Sequence, residues 1–307
     1  MRAPTAPPGA ELVPRGRTEP FQTEDYDIVP RGAYDIVRHD YYSPVPDVAS
    51  LPEDIWARRS ALGGIDLRED EAMALIETEL APFVAELDVP AAGPVEPGTF
   101  YLENQNYETV DAELLYAMIR ARKPSRVVEL GSGFTTLLIG DAVRRNLAEG
   151  AETAHVAYDP YPRRQILGDG PYAPTRFEAI SATDVPLSVF EELRDGDVLF
   201  VDTTHTVKIG SDVNFVILDV LPRLAAGVHV HFHDIFLPYE YPRAWFDTMG
   251  YLWAEQYLLQ AFLAYNSAFR VEIPAQAVAR AHRERLAAAI PSFRSGGSPA
   301  AMWLRRA

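Results

Sequence analysis

The sequence has no cysteine and almost no lysine. Without thiols it can form neither a disulfide nor a thiolate metal site. Lys123 and Lys208 are the two lysines among 28 basic residues, so arginine carries nearly all the positive charge. Acidic residues number 44, the net charge is −16 and the pI is about 4.8. A chain of this charge repels phosphate backbones and anionic membrane surfaces, which removes nucleic acid and membrane from the expected partners. No apolar run approaches membrane-spanning length. Met1 to Val13 contain no apolar leader core, and the expected location is the cytoplasm. The 307 residues are 48% hydrophobic, enough for one large domain with a substantial cap.

Residues 1 to about 20 are rich in Pro, Gly and Arg and are expected to be disordered. Tyr26-Asp-Ile-Val29 then recurs as Tyr34-Asp-Ile-Val37, with a Pro-Arg-Gly turn between that can join two short strands. Asp66 to Leu87 carries an apolar stripe at helical period (Leu67, Met73, Ile76, Leu80, Val84), and a Pro/Gly-rich linker ends at Gly98. Residues 21–98 are therefore expected to form an N-terminal cap and 99–307 the main domain. From Tyr107 onward helix and strand patterns alternate. Strands are expected at 126–130, 154–158, about 176–180, 197–201, 228–232, 269–273 and 301–305. Alternation of this kind predicts a parallel sheet covered on both faces.

The stretch that carries most information is Arg126-Val-Val-Glu-Leu-Gly-Ser-Gly-Phe-Thr-Thr136. A buried strand runs into a glycine turn and then a helix, which lets a ligand approach the backbone and the helix N-terminus. The third glycine of the dinucleotide fingerprint would fall at position 136, which is Thr136. Glu129, two residues before the first glycine, would repel a pyrophosphate but not a cationic amino-acid group. A second strand, Ala154 to Tyr158, ends in Asp159, an acid able to take ribose hydroxyls.

This acid-x-Gly-x-Gly turn and the acid after the next strand resemble class I S-adenosylmethionine-dependent methyltransferases. The resemblance implies a Rossmann-like, doubly wound, mostly parallel seven-stranded sheet whose last strand is antiparallel. It also implies a cofactor site. Glu129, Gly131, Ser132, Gly133 and Phe134 would lie along the cofactor, Asp159 would hold its ribose, and Thr183 or Asp184 would meet its adenine. Asp184 has a plainer reading as a helix N-cap.

Two further strand ends carry candidate chemistry. Asp197-Val-Leu-Phe-Val-Asp202-Thr-Thr-His205 puts a carboxylate and an imidazole at the carboxyl edge of the sheet, where open parallel sheets bind ligands. In Val228-His-Val-His-Phe-His-Asp234 the period of two aligns His229, His231 and His233 on one face. His229 and His231 lie deeper and are read as hydrogen-bonded core residues. Asp202, His233 and Asp234 together offer two carboxylates and an imidazole to a divalent ion. Asp202-Thr-Thr-His205 is similar to the Asp-x-x-His of metal-dependent small-molecule O-methyltransferases, in which the His is a general base. His233 departs from that pattern, because an acid is usual there; an imidazole suits a softer metal, or proton transfer without one. Lys208 could pair with Asp202 or meet a substrate oxygen, and Ser211 reads as an N-cap.

The wider segment, roughly residues 36–307, resembles a bacterial group of uncharacterised class I methyltransferases, through Phe200 to Phe215, His233 to Pro238, Asn106-Tyr107 and Glu255 to Leu259. The expected activity is O-methylation of a hydroxyl on a small or sugar-like acceptor. S-adenosylmethionine is the methyl donor, His205 the base, and Asp202 orients it or holds a metal. Tyr41, Tyr42, Tyr101 and Tyr107 would cover the acceptor. The partners expected are that acceptor and, as an open option, a second copy of the chain. The rival readings are a non-catalytic cofactor-binding partner protein, and a metal-dependent hydroxylase or hydrolase using the His-rich strand end.

Overall fold

The structure, a computed structural model, describes residues 10–14, 22–23, 26–27, 29–31, 34–38, 43–46, 50–93, 98–162, 170, 172–295 and 297–307, with backbone alone before residue 43. It divides into two compact units, Met1–Trp56 and Ala57–Ala307. In the first, β1 (Ala10–Pro14), β5 (Tyr34–Arg38) and β4 (Val29–Arg31) form an antiparallel sheet in the order β1-β5-β4, and β2 (Gln22–Thr23) pairs with β3 (Tyr26–Asp27). The two copies of the near-repeat thus fall on strands that meet, with Val29 opposite Ile36. A strand also occupies Ala10–Pro14, inside the stretch expected to be disordered.

The second unit begins with α1 (Glu69–Leu75), a five-residue π-helical turn (Ile76–Leu80) and α2 (Ala81–Glu86). In the sequence this apolar stripe reads as part of a cap. Here Met73, Ile76, Leu80 and Val84 are buried in the same core as the sheet, so the compact unit starts well before residue 98. Pro94 to Pro97, in the expected linker, and Tyr41 and Tyr42 lie outside the described residues.

The remaining elements alternate. They are α3 (Asp111–Arg122), β6 (Arg126–Leu130), α4 (Phe134–Ala148), β7 (Ala154–Tyr158), β8 (Arg176–Glu178), α5 (Leu187–Glu191), β9 (Val198–Val201), α6 (Asp212–Phe215), β10 (His229–Phe232), α7 (Arg243–Asp247), α8 (Glu255–Leu263), β11 (Phe269–Pro274), α9 (Ala275–Ala281), α10 (Arg283–Ala289) and β12 (Met302–Arg306). The seven-stranded sheet has the order β11-β12-β10-β9-β6-β7-β8, and only β12 runs antiparallel to its neighbours. It is the doubly wound, Rossmann-like sheet that the alternation predicts. The order reverses between β6 and β9, the point at which such sheets open a ligand crevice.

Period-two alternation divides the strand side chains between two cores. Val127, Val198, Phe200 and Trp303 join the core under α1 to α4, α9 and α10. Val128, Leu199, Val201, Val230 and Leu304 join the core on the other face. The central strands β6 and β9 are buried on both sides, which is why the sequence shows continuous apolar runs there. Arg120 is buried in α3, where its guanidinium reaches Glu86 at 2.7 Å and Glu149 at 2.5 Å, tying α2 and α4 to the central helix. Among the described residues no helix is long and apolar enough to cross a membrane.

Candidate active site

The carboxyl edge of the sheet opens into a cavity of about 730 Å3. One end is built by the turn after β6. Gly131 takes φ +88°, and a Cβ there would sit 1.9 Å from the Asp202 carbonyl oxygen, so the two strand ends approach as only glycine permits. Gly131, Ser132, Gly133 and Phe134 all line the cavity, and a Cβ on Gly133 would meet nothing within 4 Å. Asp159 lines it too. The Ser132 N–H and hydroxyl both donate to its Oδ2, at 2.9 and 2.7 Å, and the Tyr161 N–H donates to Oδ1 at 2.7 Å. A carboxylate has about four acceptor positions, so Asp159 keeps about one open, on Oδ1.

Two residues assigned to the cofactor stand elsewhere. Glu129 does not reach the cavity. It is fully buried; its Oε1 accepts from the Thr135 and Thr136 hydroxyls at 2.7 and 3.0 Å, and its Oε2 meets His155 Nε2 at 2.8 Å. Thr136 also accepts from the Gly133 N–H at 3.1 Å. The threonine found where a third glycine would be thus closes the helix start with its side chain, and Glu129 anchors that closure. Asp184 is exposed and is not among the lining residues, whereas Thr183 and Ala182 are. Nor does Asp184 cap the following helix, which begins after Pro186.

The other end of the cavity holds the charged cluster. His205 takes φ +54° after β9, and its carbonyl accepts from the Ala254 and Glu255 N–H groups at 2.9 and 3.1 Å. This contact delivers Glu255, at the start of α8, to His205 Nδ1 at 2.7 Å. The opposite nitrogen, Nε2, lies 3.1 Å from Asp202 Oδ1 and 3.5 Å from Asp234 Oδ2. Burial opposes charge on His205, but the hydrogen bonds to Asp202 and Glu255 outweigh it and raise its pKa to about 10. Burial also works to raise the Asp202 carboxyl, yet His233 and His205 hold it well below the usual range. Glu255 and Asp234 are both pushed up by burial, which their histidine neighbours only partly offset.

His233 Nδ1 lies 3.6 Å from both Asp202 Oδ2 and Asp234 Oδ2, and its Nε2 lies 3.6 Å from Asp111. Burial disfavours its charge, but Asp234, Asp202 and Asp111 together raise its pKa well above the ordinary value. Asp111 is placed by α3 and accepts from the Ala300 and Ala301 N–H groups at 2.7 and 3.1 Å, so it also fixes the entry to β12. His229 pairs with Glu272 at 2.6 Å and His231 with the Tyr107 hydroxyl at 3.0 Å; both are core residues, as expected. Lys208 lies on the rim, exposed, and forms no ion pair with Asp202. Ser211 accepts from the Asn214 N–H at 3.2 Å as the N-cap of α6. Asp212 turns back to clamp Thr204, accepting from its N–H at 3.0 Å.

Glu255, Asp111 and the aromatic residues Trp245, Tyr251 and Trp253 escaped the reading of individual residues. A signal for the aromatics was present: eight of the residues from Phe236 to Tyr257 are Phe, Tyr or Trp. Trp253 lies 4.3 Å from the His205 ring, centre to centre.

Residues 128–235, the segment from β6 to the end of β10, match a family described as a methyltransferase domain. An uncharacterised protein from Archaeoglobus fulgidus is 30% identical over 165 residues, covering 50% of this chain and 72% of its own length. Two solved structures overlap at a TM-score of 0.36. One is the CmcI-N160 apo-structure, at 11% identity, covering 70% of this chain and 81% of that one. The other is the plantazolicin methyltransferase BamL in complex with a triazolic desmethylPZN analog and SAH, at 12% identity, covering 64% and 84%. With the glycine turn, the strand-end Asp159 and the family match on the same segment, the chain belongs to the class I S-adenosylmethionine-dependent methyltransferases.

Proposed function

We propose that the protein transfers a methyl group from S-adenosylmethionine to a hydroxyl oxygen of a small acceptor, with His205 as general base. The carrying observation is the Asp202–His205–Glu255 line at the cavity, with one imidazole nitrogen held by a buried glutamate and the other beside Asp202 and Asp234, which line the same cavity. An oxygen lone pair of the acceptor forms the new C–O bond while the methyl–sulfur bond breaks. That bond's electron pair goes to sulfur, which becomes a neutral thioether, and the hydroxyl proton passes to His205 Nε2. Asp202 and Glu255 keep a proton on the resting imidazole. To act as base, His205 must first release its Nε2 proton to solvent, which a cation held at Asp202 and Asp234 would favour by offsetting their charge. Glu255 then fixes the ring tautomer and stabilises the imidazolium that forms.

The residues fit the cofactor. The glycine turn leaves room over the backbone, Asp159 has an acceptor position for a ribose hydroxyl, and Thr183 lies along the same wall. Glu129 serves the turn indirectly, and Lys208 stays outside the reacting groups. Asp159→Ala should weaken S-adenosylhomocysteine binding by about tenfold or more in calorimetry, from loss of a charge-assisted hydrogen bond and of the Ser132 anchor. Unchanged affinity would remove Asp159 from the site.

The same reading makes Asp202, His233 and Asp234 the seat of a divalent ion, because one ligand atom from each lies within 4.8 Å of the others. Bound there, the ion would supply Lewis acidity toward the acceptor oxygen. The imidazole among two carboxylates favours manganese, iron, cobalt or zinc over magnesium. His233 must lose its proton to ligate, so affinity for Mn2+ should rise from about pH 6 to about pH 8, on the order of tenfold per pH unit for each proton displaced. Calorimetry in buffers of different ionisation enthalpy reads the protons released. No binding at any pH would leave the three side chains as support for His205 alone.

A further inference from the structure

We propose that the acceptor end of the cavity binds a planar, uncharged, hydroxyl-bearing aromatic molecule, stacked on the wall made by Trp245, Tyr251 and Trp253. The proposal rests on the methyl-transfer reading, which supplies the cofactor at the other end.

The wall continues from the reacting groups. The His205 and Trp253 rings lie 4.3 Å apart, Tyr251 stacks on Trp253 at 4.4 Å with 10° between planes, and Trp245 meets Trp253 edge-on at 5.1 Å. Tyr251 and Met249 line the cavity while remaining 42% and 55% exposed, so they present apolar surface to whatever enters. The segment 245–253 reads Trp-Phe-Asp-Thr-Met-Gly-Tyr-Leu-Trp. Its one charged residue, Asp247, takes the Arg243 guanidinium at 2.8 Å and is not on the cavity side. Trp245, Met249, Tyr251 and Trp253 therefore offer ring faces and a thioether, with no carboxylate or amide.

That chemistry discriminates between acceptors. A sugar ring carries hydroxyls around its whole edge, and covering them without partners is costly. A planar aromatic ring needs no such partners and gains offset stacking on the wall. The acceptor hydroxyl then lies at the His205 end, beside Asp202 and Asp234. Charge points the same way: among the described lining residues the carboxylates of Asp159, Asp202, Asp212 and Asp234 outnumber the cations, and the His205 and His233 imidazoles are already held by Asp202 and Asp234, which leaves the exposed Lys208. Phosphorylated or carboxylated acceptors are disfavoured.

The test uses the full chain saturated with S-adenosylhomocysteine, 2-naphthol and methyl glucoside as probes, and saturation-transfer NMR with tryptophan fluorescence as readouts. The expected result is that 2-naphthol binds and methyl glucoside does not. Tyr251→Ala should weaken 2-naphthol about tenfold, and Tyr251→Phe should keep the affinity. Tyr251 is half exposed, so the substitution leaves the core intact. If S-adenosylhomocysteine binds but the glucoside is taken instead of naphthol, or Tyr251→Ala leaves naphthol unaffected, the aromatic assignment is overturned and methyl transfer stands. If S-adenosylhomocysteine itself does not bind, both fail.

Discussion

Gly131→Val is expected to abolish cofactor binding and to cost about 3–5 kcal/mol of stability. Two effects add. A β-branched residue at φ +88° is strained by about 1–2 kcal/mol before any contact is counted. The new Cβ would also meet the Asp202 carbonyl oxygen at 1.9 Å, which is backbone and cannot rotate away. The end of β9 must move, and it carries Asp202. The substitution therefore damages both ends of the site through one contact. Gly133→Ala is the control: its backbone is extended, and its Cβ would meet no protein atom within 4 Å. It should unfold like the parent in urea and lose affinity for S-adenosylhomocysteine only if the cofactor lies over that turn. A Gly131→Val protein with parental stability and affinity would refute this account of the turn.

His205→Gln is expected to bind S-adenosylhomocysteine as the parent does and to lose on the order of 10²–10⁴ in turnover. Turnover that survives the change, measured with any accepted substrate, would move the base to another group; the carboxylates beside Nε2 are Asp202, at 3.1 Å, and Asp234, at 3.5 Å. The substitution also has a stability signature. The folded pKa of His205, about 10, lies above its ordinary value of 6.5. Its contribution to stability is thus fully present below pH 6.5 and is lost as the pH rises through 10. The stability gap between parent and variant should narrow across that window. A gap that stays constant would mean that Asp202 and Glu255 do not hold a proton on the ring.

Local sequence was enough to specify the sheet. Strands β6 and β7 and helices α3 and α8 stand where periodicity places them. A short apolar strand and a helix with apolar residues at helical period each leave a signal within a few residues. The glycine turn was legible for the same reason, since its conformational demand is local. The core roles of His229 and His231 followed from the period of two, which places them below His233 on a single strand.

The roles of the polar side chains were decided by partners distant in sequence. Glu129 looked free for a ligand because its own segment shows only the Gly-x-Gly turn. Its carboxylate is consumed by Thr135 and Thr136 on the next helix and by His155 on the next strand, and an unpaired buried carboxylate would be too costly to leave. The helical stripe at 66–87 looked like a cap, because amphipathicity shows that a face is buried but not against what. Glu255 reaches His205 across 50 residues, and Asp111 reaches the start of β12 across more than 180. Sequence by itself determined that this chain folds as a methyltransferase sheet and where its strand ends lie. Only the tertiary structure decided which strand-end groups share protons, because hydrogen bonds act over about 3 Å and chain spacing carries no record of such distances.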